Sequence, residues 1–141
     1  MNARSPVEYD TPYVTMTAEP EQGLLMIRWK SYAPSGTYRV ILEKAVEWMH
    51  SYHLHSFLTD QRQRGAILHA DERWVISEWV PRMVKAGLMR AAVVQSPDYF
   101  NSQAVERVVM NALPVVPYPI MNFHSLEEAR AWLMDSNSVL I

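Results

Sequence analysis

The stretch SFLTDQRQRGAILHADERWVISEWVPRMVKAGLMRAAVV, residues 56–94, decides the fold. It opens on Ser56-Phe57-Leu58-Thr59, a short apolar run ending at Asp60, which reads as a β-strand. Gln61-Arg62-Gln63-Arg64-Gly65 follows as a polar loop. Asp71 or Glu72 then opens a helix that reaches Ala86. Val75, Trp79, Met83 and Ala86 share one face of it, and Gly87 supplies the left-handed residue that ends it. Pro81 falls inside the helix, where it deletes a backbone donor and is expected to kink or divide it. Arg90-Ala91-Ala92-Val93-Val94 closes the stretch as a strand with apolar residues on both faces, as a strand covered on both sides requires. Strand, helix, strand over this span is one β-α-β unit with parallel strands.

The same unit repeats to either side. Upstream, Tyr13-Val14-Thr15-Met16-Thr17 and Leu24-Leu25-Met26-Ile27-Arg28-Trp29 read as an antiparallel pair joined by the turn residues Glu19 to Gly23. Pro34-Ser35-Gly36-Thr37 caps a helix whose stripe is Ile41, Ala45, Trp48 and Tyr52. Downstream, Ser96-Pro97-Asp98 caps a helix over about 99–111 with the stripe Ala104, Val105, Val108 and Ala112. Ile120-Met121-Asn122-Phe123 is the last strand. Ser125 and Glu128 form a capping box for a final helix carrying Leu126, Ala129, Trp132 and Leu133 inward. The predicted order is ββαβαβαβα: an α/β fold with a mostly parallel five-stranded sheet, an antiparallel edge strand and four main helices. Residues 1–11 read as a loose arm, 12–135 as a single domain and 136–141 as a tail.

Composition narrows the function. The 141 residues contain no cysteine, which removes disulfides, thiolate metal sites, iron–sulfur clusters and cysteine nucleophiles. Thirteen basic against fifteen acidic residues give a formal charge of -2. That is the wrong balance for a protein that grips nucleic acid by its phosphates. No segment reaches the roughly 20 apolar residues of a membrane span. The start has no apolar signal core, so a cytoplasmic protein without stable membrane insertion is expected.

The element order over about 13–134 resembles the SpoIIAA-like proteins, relatives of STAS domains and of the CRAL-TRIO lipid-binding group. Local phrases carry the resemblance. They are Phe57 to Asp60, Trp74 to Arg82, Arg90 to Val93, and Phe123-His124-Ser125-Leu126-Glu127-Glu128-Ala129-Arg130-Ala131-Trp132-Leu133. The resemblance implies a non-catalytic regulatory or protein-interaction module, with homodimerisation through an apolar helix or the edge strand as one mode. The family's anti-sigma antagonists are switched by phosphorylation of a hydroxyl at the start of the helix after the third strand. Here the segment from Asp60 to Asp71 carries no hydroxyl, so the switch is expected to be absent. The alternative the resemblance implies is binding of a small amphipathic ligand or lipid in a CRAL-TRIO-like cleft.

The candidate ligand or partner surface is Asp60, Arg62, Arg64, Asp71 and Trp74. Open α/β sheets bind ligands at the carboxyl ends of their strands, and two arginines there suit a carboxylate or phosphate. The competing reading pairs these charges with one another on a solvated face. Trp74 and Trp79, five apart, cannot face the same way on a regular helix, so one is expected at a partner surface or cleft. His50 and His53 share a helix face, but with His55 past the helix end no metal site is expected. No Ser stands in a nucleophile elbow, and Pro34 to Thr37 lacks the glycines and Lys of a phosphate loop. No catalytic residue and no cofactor is expected.

Overall fold

The computed structural model describes residues 5–114, 116 and 118–135. Six strands form one sheet in sequence order: β1 Val7–Asp10, β2 Val14–Glu19, β3 Leu24–Trp29, β4 Ser56–Asp60, β5 Arg90–Val94 and β6 Ile120–Phe123. The first two pairings are antiparallel and the last three parallel. The α/β class and the mostly parallel sheet with an antiparallel edge follow the sequence expectation. The number of strands does not. The added strand, β1, lies within the stretch read as a loose arm. Its period-2 pattern is short and flanked by Pro6: Val7 and Tyr9 pack on the core while Glu8 and Asp10 face away. Pairing with β2, from Val7 opposite Ala18 to Asp10 opposite Thr15, satisfies the backbone groups on the side that faces the sheet. The tail at 136–141 lies outside the described residues.

Helices cover both faces. On one side lie α1 Ser35–Ser51, α2 His69–Trp74, α3 Val80–Lys85 and α4 Tyr99–Ala112. They pack on Met16, Leu25, Ile27, Phe57 and Ala91, the helix-facing residues of the strands. On the other side α5 Leu126–Met134 buries Ala129 and Leu133 on Leu24, Met26, Leu58, Ala92 and Val94. β5 contributes to both cores, which is why its sequence shows no polar alternation. Ser125 caps α5 by accepting from the Glu128 amide at 3.0 Å. Arg90 closes the other end: it donates to the carbonyl oxygens of Leu133 and Asp135 while its guanidinium lies over Trp132.

Pro81 acts as the sequence implies, and its effect spreads one turn back. α2 and α3 are separated by a single widened turn, Val75–Trp79, with i to i+5 spacing, and Pro81 sits in the first turn of α3. Without an N–H, Pro81 cannot continue the α ladder, and the slack is taken up as a π turn. The widened turn also means that the two tryptophans do not sit on a regular helix. It realigns residues five apart, so Trp79 is buried and Trp74, half-buried, packs against the same core. The Trp79 indole donates to the Leu42 carbonyl at 2.8 Å and meets Phe57 edge to face.

The turn between β2 and β3 depends on Gly23. Its φ of +65° is left-handed, and a side chain there would run into the His55 ring. The Gly23 carbonyl in turn accepts from the amides of His55 and Ser56, both at 2.9 Å.

Candidate functional site

The five candidate residues separate across the sheet. Asp60 ends β4 on the α5 side. Arg62 folds back on it, donating from Nε to Oδ1 at 2.9 Å and from Nη2 to Oδ2 at 2.7 Å. The Arg62 amide adds a third bond to Oδ1. Its side-chain bond to Asp60 raises the affinity of the Arg62 guanidinium for its proton. Thr15, Arg28 and Asp60 stand in a row across β2, β3 and β4 in the strand register. With Lys30, Arg62 and Gln63 they line a groove of about 220 Å³.

Arg64 turns the other way and is only 1% exposed. Its guanidinium carbon lies 5.0 Å from the Trp29 ring centre, 4.5 Å from Tyr38 and 5.6 Å from Tyr32. Aromatic faces replace part of the water that an arginine loses on burial. Its Nη1 donates to the Ala66 carbonyl, and its Nε has no hydrogen-bond partner among the described residues. Burial lowers the Arg64 pKa from its ordinary value. Arg64 therefore holds the loop onto the core and does not meet Arg62 at a ligand.

Asp71 is also buried. It accepts from Ser35 Oγ at 2.7 Å and Arg39 Nε at 2.8 Å, so Ser35 tethers α2 instead of capping its own helix. Arg39 lies over the Trp74 ring at 5.1 Å. Beside it, the buried Glu72 is held by the Arg107 fork from α4. The structure thus brings Asp60 and Arg62 together at one groove and places Arg64, Asp71 and Trp74 on the other side of the sheet. His50, His53 and His55 do not converge: among the described residues, no group of three His, Asp or Glu side chains could hold a metal ion.

A second concavity lies on the helix side, between α4 and the sheet. Its polar mouth, about 260 Å³, is lined by Gln61, Gln95, Ser96, Asn101, Ser102 and Asn122, among others. Behind it is an apolar chamber of about 100 Å³ bounded by residues including Phe57, Val75, Trp79, Val108, Ala112 and Ile120. Gln61, Val93 and Val105 line both. The chamber exists because α4 is lightly seated: only Asn101, Ala104 and Ala112 of it are buried. Val105 and Val108, read from the sequence as part of its core stripe, are half-buried and border the cavity, and Val108 also packs on the core.

Asn101 is fully buried. Its Nδ2 donates to Gln61 Oε1 at 3.3 Å and to the Gly65 carbonyl. Two acceptors fix which end of the amide is nitrogen. The Oδ1 has no donor among the described residues. Gln61 is itself held by its Nε2, which donates to Thr59 Oγ1 at 2.7 Å. A buried acceptor left unpaired costs about 1–3 kcal/mol, and because this oxygen is closed to solvent, an N–H or O–H in the mouth reaches it only when the Asn101 side chain shifts.

Sequence reasoning passed over Asn101, Gln61, Arg28 and Lys30. Two signals pointed to them. Asn101 stands on the α4 stripe at i−3 from Ala104 and i−4 from Val105, a polar side chain on an apolar face. Arg28 is the single charge in Leu24–Trp29. Comparison with protein-family models, curated proteins and solved structures returns no match.

Proposed function

We propose that the chain is a non-catalytic binding module, of the SpoIIAA-like architecture its element order resembles, that takes a small amphipathic ligand between α4 and the sheet. The observation that carries this reading is a polar mouth, lined in part by the buried Asn101, that adjoins an apolar chamber. Such a site suits a ligand with a donor-bearing head and a short apolar tail. The chamber is too small for a long acyl chain. The lack of chemistry in the reading rests on how the buried acids are used. Asp60 is bound to Arg62, Asp71 to Ser35 and Arg39, and Glu72 to Arg107. Each carboxylate is tied up in a structural pair and none stands free as a base.

Titration with hexanamide, followed by the methyl resonances of Val93, Val105 and Val108, tests the proposal. Saturable shifts confined to these methyls, and weaker ones with hexanoate, which brings no donor, are the expected result. No shift at these methyls with either compound overturns it.

A second reading, a regulatory protein-interaction module, is favoured by Tyr99 and Phe100. They open α4, are 68% and 72% exposed, and pack edge to face with ring centres 5.7 Å apart. Aromatic anchors of this kind are typical of protein interfaces. Light scattering that gives a dimer for the native chain and a monomer for Phe100→Ser supports self-association. A monomer for both removes it.

A further inference from the structure

The groove on the α5 side of the sheet has a charge pattern that its own residues do not complete. Arg62 uses both oxygens of Asp60. Arg28, the neighbour of Asp60 across the β3–β4 register, is left with Nε 3.8 Å from Asp60 Oδ2, beyond hydrogen-bond reach. Its side chain is 53% exposed and makes no hydrogen bond among the described residues, so all its donors are available. Lys30 stands beside it. It donates to Asp10 Oδ1 at 2.5 Å and to the Thr11 carbonyl at 2.8 Å, and stays 41% exposed. Arg62 is 41% exposed on its groove side chain as well. Three cations thus meet two carboxylates, and the Arg28 guanidinium is left with a long ion pair to Asp60.

We propose that this groove binds a phosphate group, carried on a small-molecule monoester or present as inorganic phosphate. A guanidinium donates two parallel bonds to a phosphate, and a tetrahedral dianion accepts from several directions at once. Arg28 supplies the fork. Lys30 and Arg62 add charge from either side, and the Gln63 amide lines the same groove. The site is separate from the α4 cleft, on the opposite face of the sheet, and stands or falls independently of the ligand proposed there. Arg62 has a second duty: by occupying Asp60 it keeps that carboxylate from capturing Arg28 or repelling the anion.

The test is a titration of the native chain with inorganic phosphate and, separately, glycerol 1-phosphate, at constant ionic strength held with chloride. The readout is the Nε–Hε resonances of Arg28 and Arg62. Saturable shifts of both are expected, with Arg28→Gln weakening binding about tenfold, the loss of one charge-assisted fork. Lys30→Gln serves as a second variant, and equal melting temperatures show that each still folds. Tighter binding of glycerol 1-phosphate assigns the site to monoesters, and equal binding assigns it to the free ion. Shifts that rise linearly without saturating, or an unchanged affinity in Arg28→Gln, overturn the proposal.

Discussion

Arg107 of α4 grips Glu72 of α2 with both arms of its fork, Nε to Oε2 at 2.7 Å and Nη2 to Oε1 at 2.9 Å. Glu72 is buried, whereas Arg107 is about half exposed. The pair ties the one helix that covers the cleft to the helical layer beside it, at a place where α4 has little apolar contact of its own. Arg107→Ala leaves a buried carboxylate with the exposed His69 ring at 3.8 Å beside it. A loss of stability is expected, moderated by the exposure of Arg107. Hydrogen exchange is the sharper readout. The amides of α4 are expected to exchange faster in the variant while those of α1 keep their rates.

Val105 forms the neck between mouth and chamber, so a larger side chain there should close one from the other. Val105→Phe is expected to change stability by less than about 1.5 kcal/mol, since the added ring enters existing space. It should also abolish the hexanamide response of Val108. Denaturant unfolding and the same titration check the two halves.

The two loop arginines should differ sharply although only one residue separates them. Arg64→Ala removes a fully buried side chain from between Trp29 and Tyr38 and is expected to cost about 2–4 kcal/mol. Arg62→Ala breaks a partly exposed pair, and Arg28 is close enough to take over Asp60, so about 1 kcal/mol is expected. Paired urea melts measure both.

Burial pushes the Tyr38 hydroxyl up to about 12, against some opposition from the nearby Arg64 charge. Burial does the same to Tyr118. In the unfolded chain both ionise near pH 10. Their neutral forms are thus favoured by folding. The stability they contribute is complete below about pH 10 and is lost as the pH climbs toward 12, by roughly 2–3 kcal/mol for Tyr38. Urea melts at about pH 9 and pH 11 should show this fall. Tyr38→Phe should flatten much of it and leave the share due to Tyr118.

Most of the architecture was legible because each element carries its own pattern. Asp98 accepts from the Asn101 amide and Ser125 from the Glu128 amide, as their positions before apolar stripes imply. β6 spans Ile120–Phe123 as read. β1 was hidden because four residues with two charges and a flanking proline carry little period-2 signal, and only its pairing with β2 makes it a strand. The π turn was half visible: Pro81 announces a break, but where the slack goes is decided by the packing of Trp74 and Trp79. The site was the least legible part. Arg62 and Arg64 look equivalent in sequence, and the sheet separates them, one toward Asp60 and one into the rings of Trp29 and Tyr38. The cleft has no motif at all, since it arises from the light seating of α4 and a single asparagine on its inner stripe.

An isotope-filtered NOE spectrum of the labelled chain with unlabelled hexanamide decides whether the α4 cleft is the binding site. Contacts are expected from the terminal methyl of the probe to Val75, Val108 and Phe57, and from its amide protons to Asn101. Contacts confined to the exposed Tyr99 and Phe100 rings, or none at all, would contradict it.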